Sequence, residues 1–168
     1  HLAVRRQRQM CIRDSTIIIK KPTGQNKISF LEGSFGKSLT SDPVEAAASI
    51  TNPENSCKSI SSVNGKIALI QRGGCQFGVK VLNAQNAGAI AAIVYNDDGD
   101  DLVSMAVGDT DPESINIPTL FISQTNGAEL KNLINQGETI LSIKKSSNTV
   151  QGYTCLLYTS DAADELLG

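Results

Sequence analysis

Apolar residues come in short runs separated by polar turns, and the runs become more regular towards the middle of the chain. Ile17-Ile18-Ile19 is a β-branched run that reads as the end of a strand. Pro22, Gly24 and Asn26 mark a turn after it. Ile28 to Leu31 and Val44 to Ile50 read as strands, with a loop over Gly33 to Pro43 and a polar surface loop over Thr51 to Ser62. After the Asn64-Gly65 turn, Lys66 to Gln71 is nearly continuous in apolar character, the pattern of a strand covered on both faces. Arg72-Gly73-Gly74 breaks it. Phe77 to Ala87 carries the helical period: Phe77, Val81 and Ala84 share one face, Val79 and Leu82 widen it, and Gly88 supplies a left-handed stop. Lys80 reads as a solvated residue of that helix.

Ala89 to Asn96 is a second buried strand, so the unit is strand–helix–strand, which predicts a parallel, right-handed crossover. Asn96 to Asp101 is an acidic loop, and Leu102 to Val107 reads as a short strand. Ile117 to Ser123 is a strand with Pro118 near its start, where the missing N–H does least harm. Gly127 to Asn135 is a helix with Leu130, Leu133 and Ile134 facing inward, and Thr139 to Lys144 is a final strand. There is no internal repeat. This alternation predicts an α/β fold.

The two ends change the composition that matters. Met10 to Asp14 can be encoded by a stretch whose reverse complement, in a shifted frame, encodes Cys155 to Ser160. Both ends therefore resemble the translation of a transposase-type sequencing adapter. Residues 1–15 and 154–168 are expected to be adapter-derived and disordered, and 16–153 to be one domain within a fragment of a longer protein. Arg5, Arg6, Arg8 and Arg13, the only cluster hinting at nucleic acid, fall in the excluded part. The whole chain has 15 Lys+Arg against 17 Asp+Glu; each end-trimmed class loses four, leaving 11 and 13. That balance asks for no nucleic-acid partner. No apolar run approaches the roughly 20 residues of a membrane-spanning helix.

Trimming also removes His1, the only histidine, and two of the four cysteines. No histidine-dependent triad and no histidine-containing zinc site can be built from the remainder. Cys57 and Cys75 stay, with 17 residues between them. The spacing fits one disulfide, worth about 3 kcal/mol by chain entropy, and fits two buried free thiols equally well.

Several separated motifs then line up. Gly65 to Phe77 reads GKIALIQRGGCQF, a strand followed by Arg-Gly-x-Cys-x-Phe; Lys80 to Ala89 reads KVLNAQNAGA; Val94-Tyr95-Asn96, Ile117-Pro118 and Ile122-Ser123 with Gly127 follow, and Phe35-Gly36 and Cys57 precede. Together, over roughly Phe30 to Ile143, they resemble the protease-associated (PA) domain family. The resemblance implies a β-sandwich or open barrel flanked by short helices. It makes Arg72, Gly73, Phe77, Asn83, Ala84, Gly88 and Pro118 a structural signature: glycines for a sharp turn, Phe77 as an anchor, Asn83 to satisfy a neighbouring loop. It also implies a Cys57–Cys75 disulfide and an oxidising compartment, secreted or luminal.

The role implied is that of an accessory module without a catalytic residue of its own. Its partner would be a peptide or protein substrate, or the peptidase domain of the same parent chain, in a secreted subtilisin-like or fungalysin-like peptidase. The alternative host is a sorting-type receptor or a membrane-anchored ubiquitin ligase with the module facing the lumen. No cofactor is expected. Asp97, Asp98, Asp100 and Asp101 are the candidate calcium ligands, in a spacing that fails the EF-hand rule. Cys75 as a nucleophile lacks an activating base, and Arg72 reads as a turn-stabilising residue rather than a carboxylate clamp.

Overall fold

The computed structural model describes residues 15–23 and 27–145. The adapter-like ends, apart from Ser15, and the turn positions Gly24 and Asn26 lie outside them. The strands are β1 (Thr16–Lys21), β2 (Lys27–Ser29), β3 (Leu31–Glu32), β4 (Val44–Ile50), β5 (Ile67–Gln71), β6 (Ala91–Tyr95), β7 (Thr119–Ile122) and β8 (Ile140–Lys144). The helices are α1 (Phe77–Asn86) and α2 (Gln124–Gln136), and a short 3₁₀ turn covers Pro112–Ser114. No helix among the described residues is long and apolar enough to cross a membrane.

All eight strands join one mixed ladder in the order β2-β1-β8-β4-β5-β6-β7-β3. β4, β5, β6 and β7 run parallel, with Ile67 opposite Ala91 and Ala92 opposite Thr119. The outer pairs β1–β2, β1–β8, β4–β8 and β3–β7 are antiparallel. β4 is the junction: Val44 to Ala47 pair with β8 and Ala48 to Ile50 pair with β5.

Strand alternation sorts the buried side chains into two clusters. Ile67, Leu69, Ile93, Leu120 and Ile122 from the parallel half meet Ile17, Ile19, Leu141 and Ile143 from the antiparallel half, together with Leu130 of α2. Two halves of one ladder that share one core must curl towards each other, which gives the open-barrel character. On the opposite face, Ala68, Ile70, Ala92, Val94 and Phe121 pack against Val81 and Ala84 of α1. β5 and β6 are therefore covered on both sides, as their continuous apolar runs require.

Two expectations need correction. Leu102 to Val107 forms no strand. It is tied by isolated bonds instead: Gly78 N–H donates to the Val107 carbonyl at 3.1 Å, and Ser34 Oγ to the Met105 carbonyl at 2.8 Å. Both edges of β6, and both of β7, already carry partners, so the segment finds no place beside the strands that flank it in sequence. The second helix begins three residues earlier than Gly127, because Ser123 caps it by accepting from Asn126 N–H at 3.2 Å.

Candidate functional site

Four parallel neighbours deliver four carboxyl ends to one edge of the sheet. In open α/β sheets this is the edge at which loops gather to bind ligands. Here the loops are 51–57 after β4, 72–76 after β5 and 96–101 after β6, with the amino end of α2 following β7. They touch one another directly: Gln71 N–H donates to the Glu54 carbonyl at 2.8 Å, and Arg72 N–H to the Tyr95 carbonyl at 3.0 Å.

The centre of the edge is Lys80, and its position corrects the expectation of a solvated side chain. It is fully buried. Its ammonium donates to the carbonyls of Asn55 at 2.8 Å and Gln71 at 2.9 Å, and to that of Gly73. Three donors meet three acceptors, the condition under which a charge is tolerated away from water. Burial pushes the ammonium's pKa down to about 8, and the nearby Asp97 carboxylate pulls it the other way. The sequence did carry a signal: Lys80 lies three residues after Phe77 and four before Ala84, on the stripe that faces the sheet.

Around this cation the loop 51–57 is folded tightly. Ser56 is fully buried with φ +53°, a left-handed backbone uncommon outside glycine. Its hydroxyl donates to the Lys80 carbonyl at 2.9 Å, and its own carbonyl accepts from Asn83 Nδ2 at 2.9 Å. Cys57 and Cys75 form a disulfide with Cα atoms 5.8 Å apart, joining this loop to the turn after β5. That turn is built from Gly73 at φ +99° and Gly74 at φ +85°; at Gly73 a Cβ would approach Asp97 Oδ2 to 2.9 Å.

The other signature residues occupy packing or turn positions. Arg72 Nη1 donates to Asn96 Oδ1 at 2.9 Å. The Phe77 ring meets Phe121 edge to face, centroids 6.1 Å apart. Ala84 and Pro118 are buried, and the Pro118 carbonyl accepts from Ala92 N–H at 2.9 Å. Gly88, at φ +96°, packs where a Cβ would come within 2.7 Å of Asn64 Cα.

The acidic loop sits beside them and is fastened to α2. Asp100 accepts from Thr125 N–H and from Thr125 Oγ1, each at 2.7 Å, which holds its carboxyl below the ordinary range. Gln124 Nε2 donates to the Asp97 carbonyl at 3.1 Å. Asp97, Asp98 and Asp101 are exposed. Among the described residues no group of three or more His, Cys, Asp or Glu side chains is placed to hold a metal ion.

Sequence reasoning passed over a second group here. Glu54 lies 2.5 Å from Lys131 Nζ of α2 as an ion pair, although its buried Oε1 has no hydrogen-bond partner of good geometry. Burial, with the Glu54 carboxylate adding to it, pushes the Tyr95 phenol up to about 12. At the far end of the parallel strands a shallow groove of about 410 Å³ is lined by Lys37, Leu39, Val44, Ile90 and Pro118.

A family profile described as PA domain matches residues 36–130, more than half of the 168-residue chain. The human E3 ubiquitin-protein ligase RNF13 is 39% identical over 109 residues, which is 60% of this chain and 29% of that protein. The human ER degradation-enhancing alpha-mannosidase-like protein 3 is 39% identical over 107 residues, 60% of this chain and 11% of that protein. Among solved structures, an aminopeptidase from Aneurinibacillus sp. strain AM-1 superposes with a TM-score of 0.58 at 29% identity, covering 77% of this chain and 30% of that one. A zinc aminopeptidase from Bacillus subtilis, BSAP, has the same TM-score of 0.58 at 19% identity and shares the fold. The chain thus spans less than a third of the length of the first curated relatives it matches.

Proposed function

Because the chain belongs to the PA domain family, we propose that it is a non-catalytic docking module of a longer secreted or luminal protein, one that binds a peptide or protein segment through the loops at the carboxyl ends of its parallel strands. The observation that carries this reading is where the polar side chains of the matched motifs go. Lys80, Asn83, Arg72 and Asn96 all direct their polar atoms into neighbouring loops. They make the edge rigid, and a preorganised edge binds with little ordering cost. The exposed carboxylates of Asp97, Asp98 and Asp101 favour an extended segment with basic side chains.

The parent is read first as a secreted peptidase, in which the module positions substrate or contacts the peptidase domain. The likeness to a solved aminopeptidase at 29% identity supports that host. The 39% identity to an E3 ubiquitin-protein ligase supports the second reading, a luminal module of a membrane-anchored ligase. The disulfide suits both, since each places the module in an oxidising compartment.

The test is amide chemical-shift mapping of the full chain titrated with extended basic, neutral and acidic peptides. The expected result is saturable shifts at residues 51–57, 71–76 and 96–101, strongest with the basic peptide. Binding mapped to the opposite end of the strands, or hydrolysis of any peptide that stops when one side chain is altered, would overturn the proposal.

A further inference from the structure

The disulfide has two chemically unequal sulfurs. Cys57 Sγ lies 3.6 Å from the Lys80 ammonium, and at the same distance from the carbonyl oxygens of Asn55 and Gly73, which already accept from that ammonium. It sits behind Gly74, where a Cβ would come within 3.2 Å of it. Both cysteines are half-buried; Cys75 stands between two exposed neighbours, Gly74 and Gln76, and Cys57 between buried Ser56 and exposed Lys58. The sulfurs differ in charge environment: that of Cys57 has the Lys80 ammonium as a close neighbour, and that of Cys75 stands in the glycine turn.

We propose that Cys75 is a site of reversible mixed-disulfide formation with small thiols, with Cys57 as the leaving sulfur. The thiolate of a small thiol such as glutathione attacks Cys75 Sγ, and a new S–S bond forms there. The Cys57–Cys75 bond breaks, and its electron pair goes to Cys57 Sγ as a thiolate facing the Lys80 ammonium. Exchange is faster when the departing thiolate is stabilised, and a neighbouring cation does that. No net oxidant is required, because the disulfide is itself the oxidised partner. The Cys57 thiolate can attack the mixed disulfide in turn, expel the small thiol and restore the starting bond. The adduct releases loop 51–57 from the turn after β5, so the docking edge would answer to the thiol content of its compartment.

The experiment maps the adduct on the full chain carrying Cys11→Ser and Cys155→Ser. The folded protein is exposed briefly to glutathione, released thiols are capped with iodoacetamide, and peptides are analysed by mass spectrometry. The expected outcome is glutathione on Cys75 and the cap on Cys57, in an excess of roughly tenfold over the reverse. The same reaction in concentrated guanidinium should show a ratio near one. A folded Lys80→Met variant should also move towards one. An even or inverted ratio in the folded wild type overturns the proposal, and so does a bias that persists in denaturant. If Lys80→Met does not fold, the wild-type and denatured maps still decide.

Discussion

Two loops leave the carboxyl ends of adjacent parallel strands and are held by different physics. The turn after β5 is closed by a disulfide and centred on an ammonium with no exposure to water. The loop after β6 is fastened to the amino end of α2 by exposed hydrogen bonds: Thr125 donates to the Asp100 carboxylate and Gln124 to the Asp97 carbonyl. Both loops are polar and rich in turn residues, so their sequences look equally loop-like. The difference lies in what supports them: a buried ammonium reaching up under the first, and under the second the neutral amide of Asn96, with a helix terminus beside it. Interactions in the first should be large and insensitive to salt, and those in the second small and screened.

The sharpest way to break this contrast is Lys80→Met. Methionine keeps much of the apolar stem and leaves three carbonyls without a donor, which should cost about 3–5 kcal/mol. Chemical unfolding of the two proteins measures it. A pH series adds a signature that packing alone would not give. The folded pKa of about 8 lies below the ordinary 10.5, so between those values the unfolded chain holds more protons. Wild-type stability should therefore gain a rising contribution with pH across that window and none below it, and Lys80→Met should lack that contribution. A loss under 1 kcal/mol would erase the distinction between the two loops.

Lys80 also shows what the sequence could and could not disclose. The strand–helix–strand unit was legible because β5, α1 and β6 obey their periods without interruption. The same period placed Lys80 on the buried stripe, but a lysine is buried only where acceptors await it, and those are the backbone carbonyls of Asn55, Gln71 and Gly73. Carbonyls carry no sequence signature, and their positions depend on loops folding from 51–57 and 71–74. Leu102 to Val107 misled for a related reason: Met105 is buried and Val103 and Val107 half-buried, which looks strand-like, yet β6 and β7 beside it already have partners on both edges. The Cys57–Cys75 pairing was implied by family resemblance, since spacing alone left paired and free thiols equal.

Of the two restraints on the first loop, the covalent one should be the weaker. Replacing both cysteines, Cys57→Ser with Cys75→Ser, opens a closed loop of 18 residues' separation, and chain entropy puts the loss at about 3 kcal/mol. Lys80 keeps its three acceptors in that variant, so the fold should persist with a lower Tm. Hydrogen exchange should then quicken at residues 51–57 more than at 96–101. Equal quickening in both loops would mean that they unfold as one unit and that the comparison is between parts of a single structure.

The smallest effect should come from Asp100→Asn, and its pH dependence is what identifies it. Asparagine can still accept from Thr125 N–H, so what is lost is charge at the amino end of α2, where a carboxylate favours the helix dipole. Asp100 is exposed and its folded pKa is lowered by Thr125. A depressed carboxyl contributes stability above its unfolded pKa of about 3.8, and loses it as pH falls through the folded value. The Tm difference between wild type and Asp100→Asn should therefore be present at pH 7, shrink in high salt and close in strong acid, while remaining well below that of the double cysteine variant. Should it match the cysteine variant and ignore salt, the acidic loop would be anchored as firmly as its neighbour, and the docking edge would be rigid along its whole length rather than braced on one side and yielding on the other.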